Sequence, residues 1–171
     1  DFLLDLAFSP DDKRMAYSAR KGEKWVVVVD GLSSPEYKAV AKDRLVFSPD
    51  GGRVADVVKK GDKGVVVVDG VAGPEYDSFG VPKFSPDGKR IFYSAYSAGK
   101  GGRWRAVVDG LAGPEYDGIQ SESPIFSPDS KHVAYSARSD GQWRVMRDGQ
   151  PGPACVAVVK NGPTFHSNGA L

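Results

Sequence analysis

The residues of this chain that could do chemistry are two histidines, one cysteine and a recurrent aspartate, and their spacing limits what each can do. Nucleophilic catalysis needs a histidine beside a serine or cysteine and an orienting carboxylate. His132 and His166 instead stand at turn-flanking positions that hold Arg90 and Ser85 in another copy of the same sequence pattern. Cys155, alone, can form no internal disulfide, and it occupies the place of Tyr37, Tyr76 and Tyr116, which reads as a buried, inert thiol. Asp11, Asp50, Asp87 and Asp129 could be imagined as a calcium ring. Calcium, however, takes about six to eight converging oxygens, and equivalent turns of separate repeats stand apart, so turn chemistry explains these aspartates. No Cys/His ligand spacing and no phosphate-cradling glycine loop occurs. The expectation is a chain with no catalytic residues, no metal and no cofactor, and not an enzyme in its own right.

Charge and aromatics mark two places for binding. Lys21, Trp25, Lys60, Arg103, Trp104, Trp143 and Arg144 combine basic residues with tryptophans, the ingredients of interface hot spots. The same tryptophans would serve equally as wedges between packed sheets. Although the chain carries 23 basic and 22 acidic residues, the basic ones gather in one set of connections and the acidic ones in another. The expectation is one basic and one acidic face. The near-zero net charge makes no case for nucleic acid or an anionic membrane. The second place is the pair Asp56 and Gly64, which replaces aromatics present elsewhere: tyrosines at 17, 93 and 135, tryptophans at 25, 104 and 143. A three-residue turn at Arg20-Lys21-Gly22 would set Tyr17 opposite Trp25, and by the same register Asp56 opposite Gly64. Either neighbouring side chains fill the gap, or a polar notch lies near the basic face, with Asp56 hydrogen-bonded or paired to a lysine.

The elements that position these residues follow from a repeat. Phe-Ser-Pro-Asp begins at Phe8, Phe47, Phe84 and Phe126, with a worn copy, FHSN, at Phe165; Asp-Gly closes a valine-rich run at Asp30, Asp69, Asp109 and Asp148. Both markers keep a period of about 40 residues, the signature of an array of supersecondary units. Each unit divides into four strand-like runs, in the third copy Val81 to Ser85, Arg90 to Tyr96, Trp104 to Asp109 and Glu115 to Ile119. The run WVVVV at Trp25 to Val29 is apolar on both faces, so its sheet is covered on both sides. The fourth run, PEYD, is polar, as an outer edge strand should be. The fold class is all-β: a β-propeller of about 40-residue four-stranded antiparallel blades, four complete blades plus the first strand of a fifth. The blades run approximately over 1–40, 41–79, 80–119 and 120–159, with an extra strand in 160–171, as a single propeller domain or propeller segment. The rival is an extended β-solenoid, whose rungs are usually shorter.

The pattern FSPDGKRIFYSA followed by a strand ending in VVDG resembles the WD40-like repeats of TolB-type bacterial propellers over nearly the whole chain. That resemblance implies a protein-binding platform or, as an alternative, a gating domain beside a peptidase; a third reading, separate from the resemblance, is a lectin-like ligand-binding ring that would use Trp104. It implies a location in the bacterial envelope or outside the cell. The partner would be protein, or an anionic or glycan ligand. No apolar run nears the length of about 20 residues that crosses a bilayer, and none reads as a signal peptide. The surplus strand at Thr164 to Asn168 fits a longer propeller, chains that join to finish a ring through blade edges, or a closed four-bladed ring with an added strand.

Overall fold

A computed structural model describes residues 2–99, 101–155 and 162–165. Among them there is no helix, and the strands form four antiparallel sheets. In the first sheet β1 (Phe2–Phe8), β2 (Met15–Lys21), β3 (Lys24–Val29) and β4 (Leu32–Ser33) lie side by side in chain order. The second has β5 (Ala39–Val40) and β6 (Val46–Phe47) on the same edge of β7 (Val54–Lys60), then β8 (Lys63–Val68) and β9 (Val71–Tyr76). The third repeats this with β10 (Ser78–Phe79), β11 (Lys83–Phe84), β12 (Ile91–Ser97), β13 (Arg103–Val108) and β14 (Leu111–Tyr116). The fourth has β15 (Gly118–Ile119), β16 (Ile125–Phe126), β17 (Val133–Ser139), β18 (Gln142–Arg147) and β19 (Gln150–Cys155). In the third and fourth sheets the break in the first strand holds Gly80 and Pro82, or Pro124, residues that weaken or cannot donate to a ladder.

The seam between blades falls earlier than the repeat pattern placed it. Gly118 and Ile119 pair with Arg138 and Ala137 of the following sheet, so the fourth strand of blade three is β14, not Glu115 to Ile119. At the C-terminus, Gly162 to Phe165 carry no strand. The remainder of the expected fifth strand, with His166, lies outside the described residues.

The serine-proline-aspartate turns explain their own composition. Ser9 Oγ donates to Asp11 Oδ1 at 2.7 Å and accepts the Arg14 N–H at 2.9 Å, while Asp12 N donates to Ser9 O at 2.9 Å. The same bonds recur at Ser48, Ser85 and Ser127. Asp11, Asp50, Asp87 and Asp129 are thus held below the usual carboxylate range, first by the serine hydroxyl and then by a backbone N–H.

Apolar packing lies between blades. Val27, Val29 and Tyr37 meet Leu45, Val54, Val58 and Val65; Val57, Val66 and Tyr76 meet Phe79, Tyr93 and Val107; Phe92, Ala106 and Tyr116 meet Ile119, Val133 and Tyr135. An arginine at the start of the second strand locks each junction. Arg14 pairs with Asp30 in its own blade at 2.7 Å, donates to Gly52 O of the next blade at 2.7 Å and lies over Phe47. Arg53 does the same with Asp69, Lys89 O and Phe84, and Arg90 with Asp109, Lys131 O and Phe126. In blade four His132 takes the intra-blade role toward Asp148 at 2.6 Å, and Arg147 covers Phe165. Arg53→Ala should cost about 1–2 kcal/mol, from a half-exposed ion pair and a cation–π contact, read as a lower urea midpoint with unchanged slope; no change would show the clamp to be ornamental.

Candidate functional site

The structure disperses the expected basic face. Lys21 and Lys60 are exposed at hairpin ends, but Lys63 pairs with Asp77 at 2.6 Å, Lys38 with Asp62 at 2.8 Å, Arg105 with Glu115 at 2.6 Å, and Arg103 with Asp117. Acids and bases therefore interleave at one end of the blades. At the other end Asp30, Asp69 and Asp109 are matched by Arg14, Arg53 and Arg90. The expectation of one basic and one acidic face fails because the fourth strand ends sooner than expected. Asp77 and Asp117 then emerge beside the hairpins rather than opposite them.

The tryptophans are half-buried. Trp25 sits edge-on to Phe2, and Trp104 stacks at a tilt on Tyr96, 5.2 Å between centroids, and packs into the junction with blade four. Trp143 lies opposite Cys155, whose thiol points to the Trp143 carbonyl at 3.3 Å. Cys155 does hold the register of the tyrosines, since Trp104 lies opposite Tyr116 and Gly64 opposite Tyr76, but it is half-buried rather than buried. Arg144 turns to Gly152 O and to Gln142 within its own blade. His132 offers its imidazole to Asp148, while the Ser127 hydroxyl is given to Asp129.

At the second blade the structure separates the two exceptional residues. The β2–β3 and β7–β8 hairpins close with two-residue turns, pairing Lys21 with Lys24 and Lys60 with Lys63. Tyr17 therefore faces Val28, not Trp25, and Asp56 faces Val67, not Gly64. Gly22 and Gly61, at φ 61° and 71°, occupy the first central position of those turns, a role glycine fills as readily as the last place of a three-residue turn. Each site then has its own fate. A Cβ on Gly64 would lie 2.6 Å from the Phe79 ring, so a neighbouring side chain fills that gap.

At Asp56 the gap is open. The side chain leaves β7 on the same face as Val54 and Val58, toward blade one, where Tyr93 and Tyr135 in the next blades insert their rings. A cleft of about 440 Å³ results, walled by Val27, Val29, Val54, Val58 and Val67, with Ser34 and Tyr37 on the blade-one side. Its mouth lies among Asp30, Gly52, Asp69 and Gly70, the end of the blade opposite to Lys59 and Lys60. The notch is therefore not near the hairpin lysines. Asp56 is 3% exposed; Oδ1 accepts the Val57 N–H at 2.6 Å, and Oδ2 is buried without a partner. Of the two partners expected for it, a hydrogen bond or a lysine, the hydrogen bond is present and the lysine pair is absent among the described residues. Burial pushes its carboxyl up to about 7, with the Asp5 carboxylate adding to the rise. Tyr37 is raised as well, first by burial.

No family model matches the sequence, and no curated protein matches it. Solved structures do. Acylaminoacyl peptidase in complex with a chloromethyl ketone is 13% identical, with a TM-score of 0.54 over 93% of this chain and 33% of its own. Acylaminoacyl peptidase of Pyrococcus horikoshii is 14% identical, at 0.52 over 91% and 33%. TolB of Acinetobacter baumannii is 17% identical, at 0.34 over 88% and 53%. The chain thus spans about a third of those peptidases and about half of that TolB. Four consecutive four-stranded meanders, packed face to face and superposable on the two peptidase chains, establish that the protein has the β-propeller fold that its TolB-type resemblance implied.

Proposed function

We propose that this chain is a non-catalytic protein-binding propeller segment that joins its partner through the open face of its first blade, and that the partner is a blade of the same repeat on a second copy. The observation that carries this reading is a comparison within the chain. Leu45 and Val54 of blade two are 8% and 7% exposed because blade one covers them, whereas the equivalent Leu6 and Met15 are 51% and 38% exposed. Phe8, the counterpart of the arginine-capped Phe47, is 56% exposed and has no arginine over it among the described residues. An apolar patch beside the Ser9-Pro10-Asp11 turn matches the clamp face that each internal blade presents to its neighbour.

Light scattering across a dilution series tests this. The native chain should associate, and Leu6→Asp with Phe8→Ser should leave a folded single chain. A particle of one chain for both would remove the proposal and favour the alternative, a propeller portion of a larger enzyme. The acylaminoacyl peptidase likeness supports that alternative, since there a chain three times as long carries the matching blades. The lectin-like reading is disfavoured by the half-buried tryptophans, two of which already pack against aromatic rings of their own blades. A bacterial envelope location belongs to the same proposal and rests on the TolB-type resemblance.

A further inference from the structure

We propose that the cleft between the first and second blades binds an alkylammonium group, its nitrogen on the Asp56 carboxylate and its alkyl stem along Val27, Val54, Val58 and Val67. The site does not depend on how the ring is completed. Three observations converge on it. The cleft is of ligand size, about 440 Å³ against the roughly 300–1,000 Å³ typical of small-molecule sites, and its walls are aliphatic. Its lining includes Asp56, whose Oδ2 is buried and unmatched, and buried polar atoms are rarely left so. The two later junctions show what a filled site looks like. There the equivalent residues are Tyr93 and Tyr135, both 2% exposed, and the Tyr135 hydroxyl meets that of Tyr116 at 3.2 Å.

The charge of the occupant follows from what surrounds the carboxylate. Asp5 of β1, itself with a buried unmatched Oδ2, approaches from blade one, and the Tyr37 phenol lies on the same side. At the mouth Asp30 and Asp69 are each tied to the Nε of an arginine, Arg14, which itself lines the cleft, and Arg53, and the Nη1 of each donates to carbonyls of neighbouring turns. With Asp56 ionised the pocket therefore has surplus negative charge, since Arg14, the cation among its described lining residues, is already paired with Asp30. An anion would be repelled, and a neutral apolar guest would leave Oδ2 unmatched. A primary ammonium satisfies Oδ2 and relieves the cost of burying charge. The guest could be a free alkylamine or the lysine side chain of a protein, which present the same group.

Titration calorimetry with n-hexylamine and its neutral counterpart n-hexanol separates these possibilities. Hexylamine stays protonated throughout, so its affinity should follow the ionised fraction of Asp56, which rises from about a tenth to about nine-tenths between about pH 6 and about pH 8. Binding should tighten roughly tenfold over that span. Hexanol should show no such trend. Asp56→Asn, isosteric and able to keep the Val57 contact, should abolish the pH dependence and the preference for the amine. Asp56→Tyr, a residue that two other blades accept at this place, should abolish binding of both while circular dichroism remains native. Nα-acetyl-lysine methylamide binding more tightly than hexylamine would identify a protein side chain as the source, and the reverse a free amine. Equal affinity for amine and alcohol at about pH 8, amine binding indifferent to Asp56→Asn, or no binding of either probe would each overturn the proposal.

Discussion

Carrying the folded chain from about pH 4 to about pH 8 is expected to cost it several kcal/mol through one side chain, Asp56. Its carboxyl titrates near 3.8 in the unfolded chain and at about 7 in the folded one. Between those values the folded state holds a proton that the unfolded state has released, so stability falls as pH rises, by about 1.4 kcal/mol per pH unit. The contribution is complete below the unfolded value and gone above about 7, a total on the order of 4 kcal/mol. The turn aspartates, whose carboxyls are lowered, act in the opposite sense and only in acid. Asp56→Asn isolates the effect, because the amide can keep the Val57 contact and never ionises. Urea unfolding of the two proteins should give similar stabilities near pH 4 and a growing advantage for Asp56→Asn up to about pH 8. Parallel profiles would mean that water or a bound cation already compensates the carboxylate.

Tyr135→Ala should be the most damaging single truncation of the chain. The ring is 2% exposed, lies 5.3 Å from Phe92 and 6.1 Å from Tyr116, and shares its hydroxyl with Tyr116. Truncating so large a buried ring costs about 3–5 kcal/mol, and it strips Tyr116 of its hydroxyl partner. Tyr17→Ala removes the same atoms from the same strand position of blade one, where the ring is only half-buried. At concentrations where the chain is single, that loss should be less than half as large, as measured by chemical unfolding. Equal costs would show that the first blade's outer face is covered even in isolation.

Much of this architecture was legible because turn chemistry repeats. The Ser-Pro-Asp serine and aspartate bond to each other and to the backbone two and five residues on, so any blade must spell the motif. The alternation of Asp-Gly with valine runs likewise marked the third strand of each sheet. Register was not legible, since a glycine with positive φ suits both two- and three-residue hairpins, and one residue of loop length decides what faces Asp56. Nor was the end of the fourth strand: Asp77 looks like its last residue, yet its N–H already serves Tyr96 O of the next blade. Arg14, Arg53 and Arg90 were overlooked altogether. Their spacing is only that of the repeat, and nothing local says that a turn-flanking arginine reaches across a junction.

The three junctions of this array are built alike at the arginine and unlike at the tyrosine. In a chain of units whose cohesion is a sum over neighbours, unequal couplings set where the sum divides. The first coupling, with a carboxylate where the others have a phenol ring, is expected to be the weakest of the three and to weaken further as pH rises through about 7. Above neutrality the molecule is then expected to behave less as four cooperating units than as one unit tethered to three, with blade one parting from the rest before the rest unfolds. The thermodynamic boundary of the folding unit would lie after Tyr37, while the repeat continues across it unbroken.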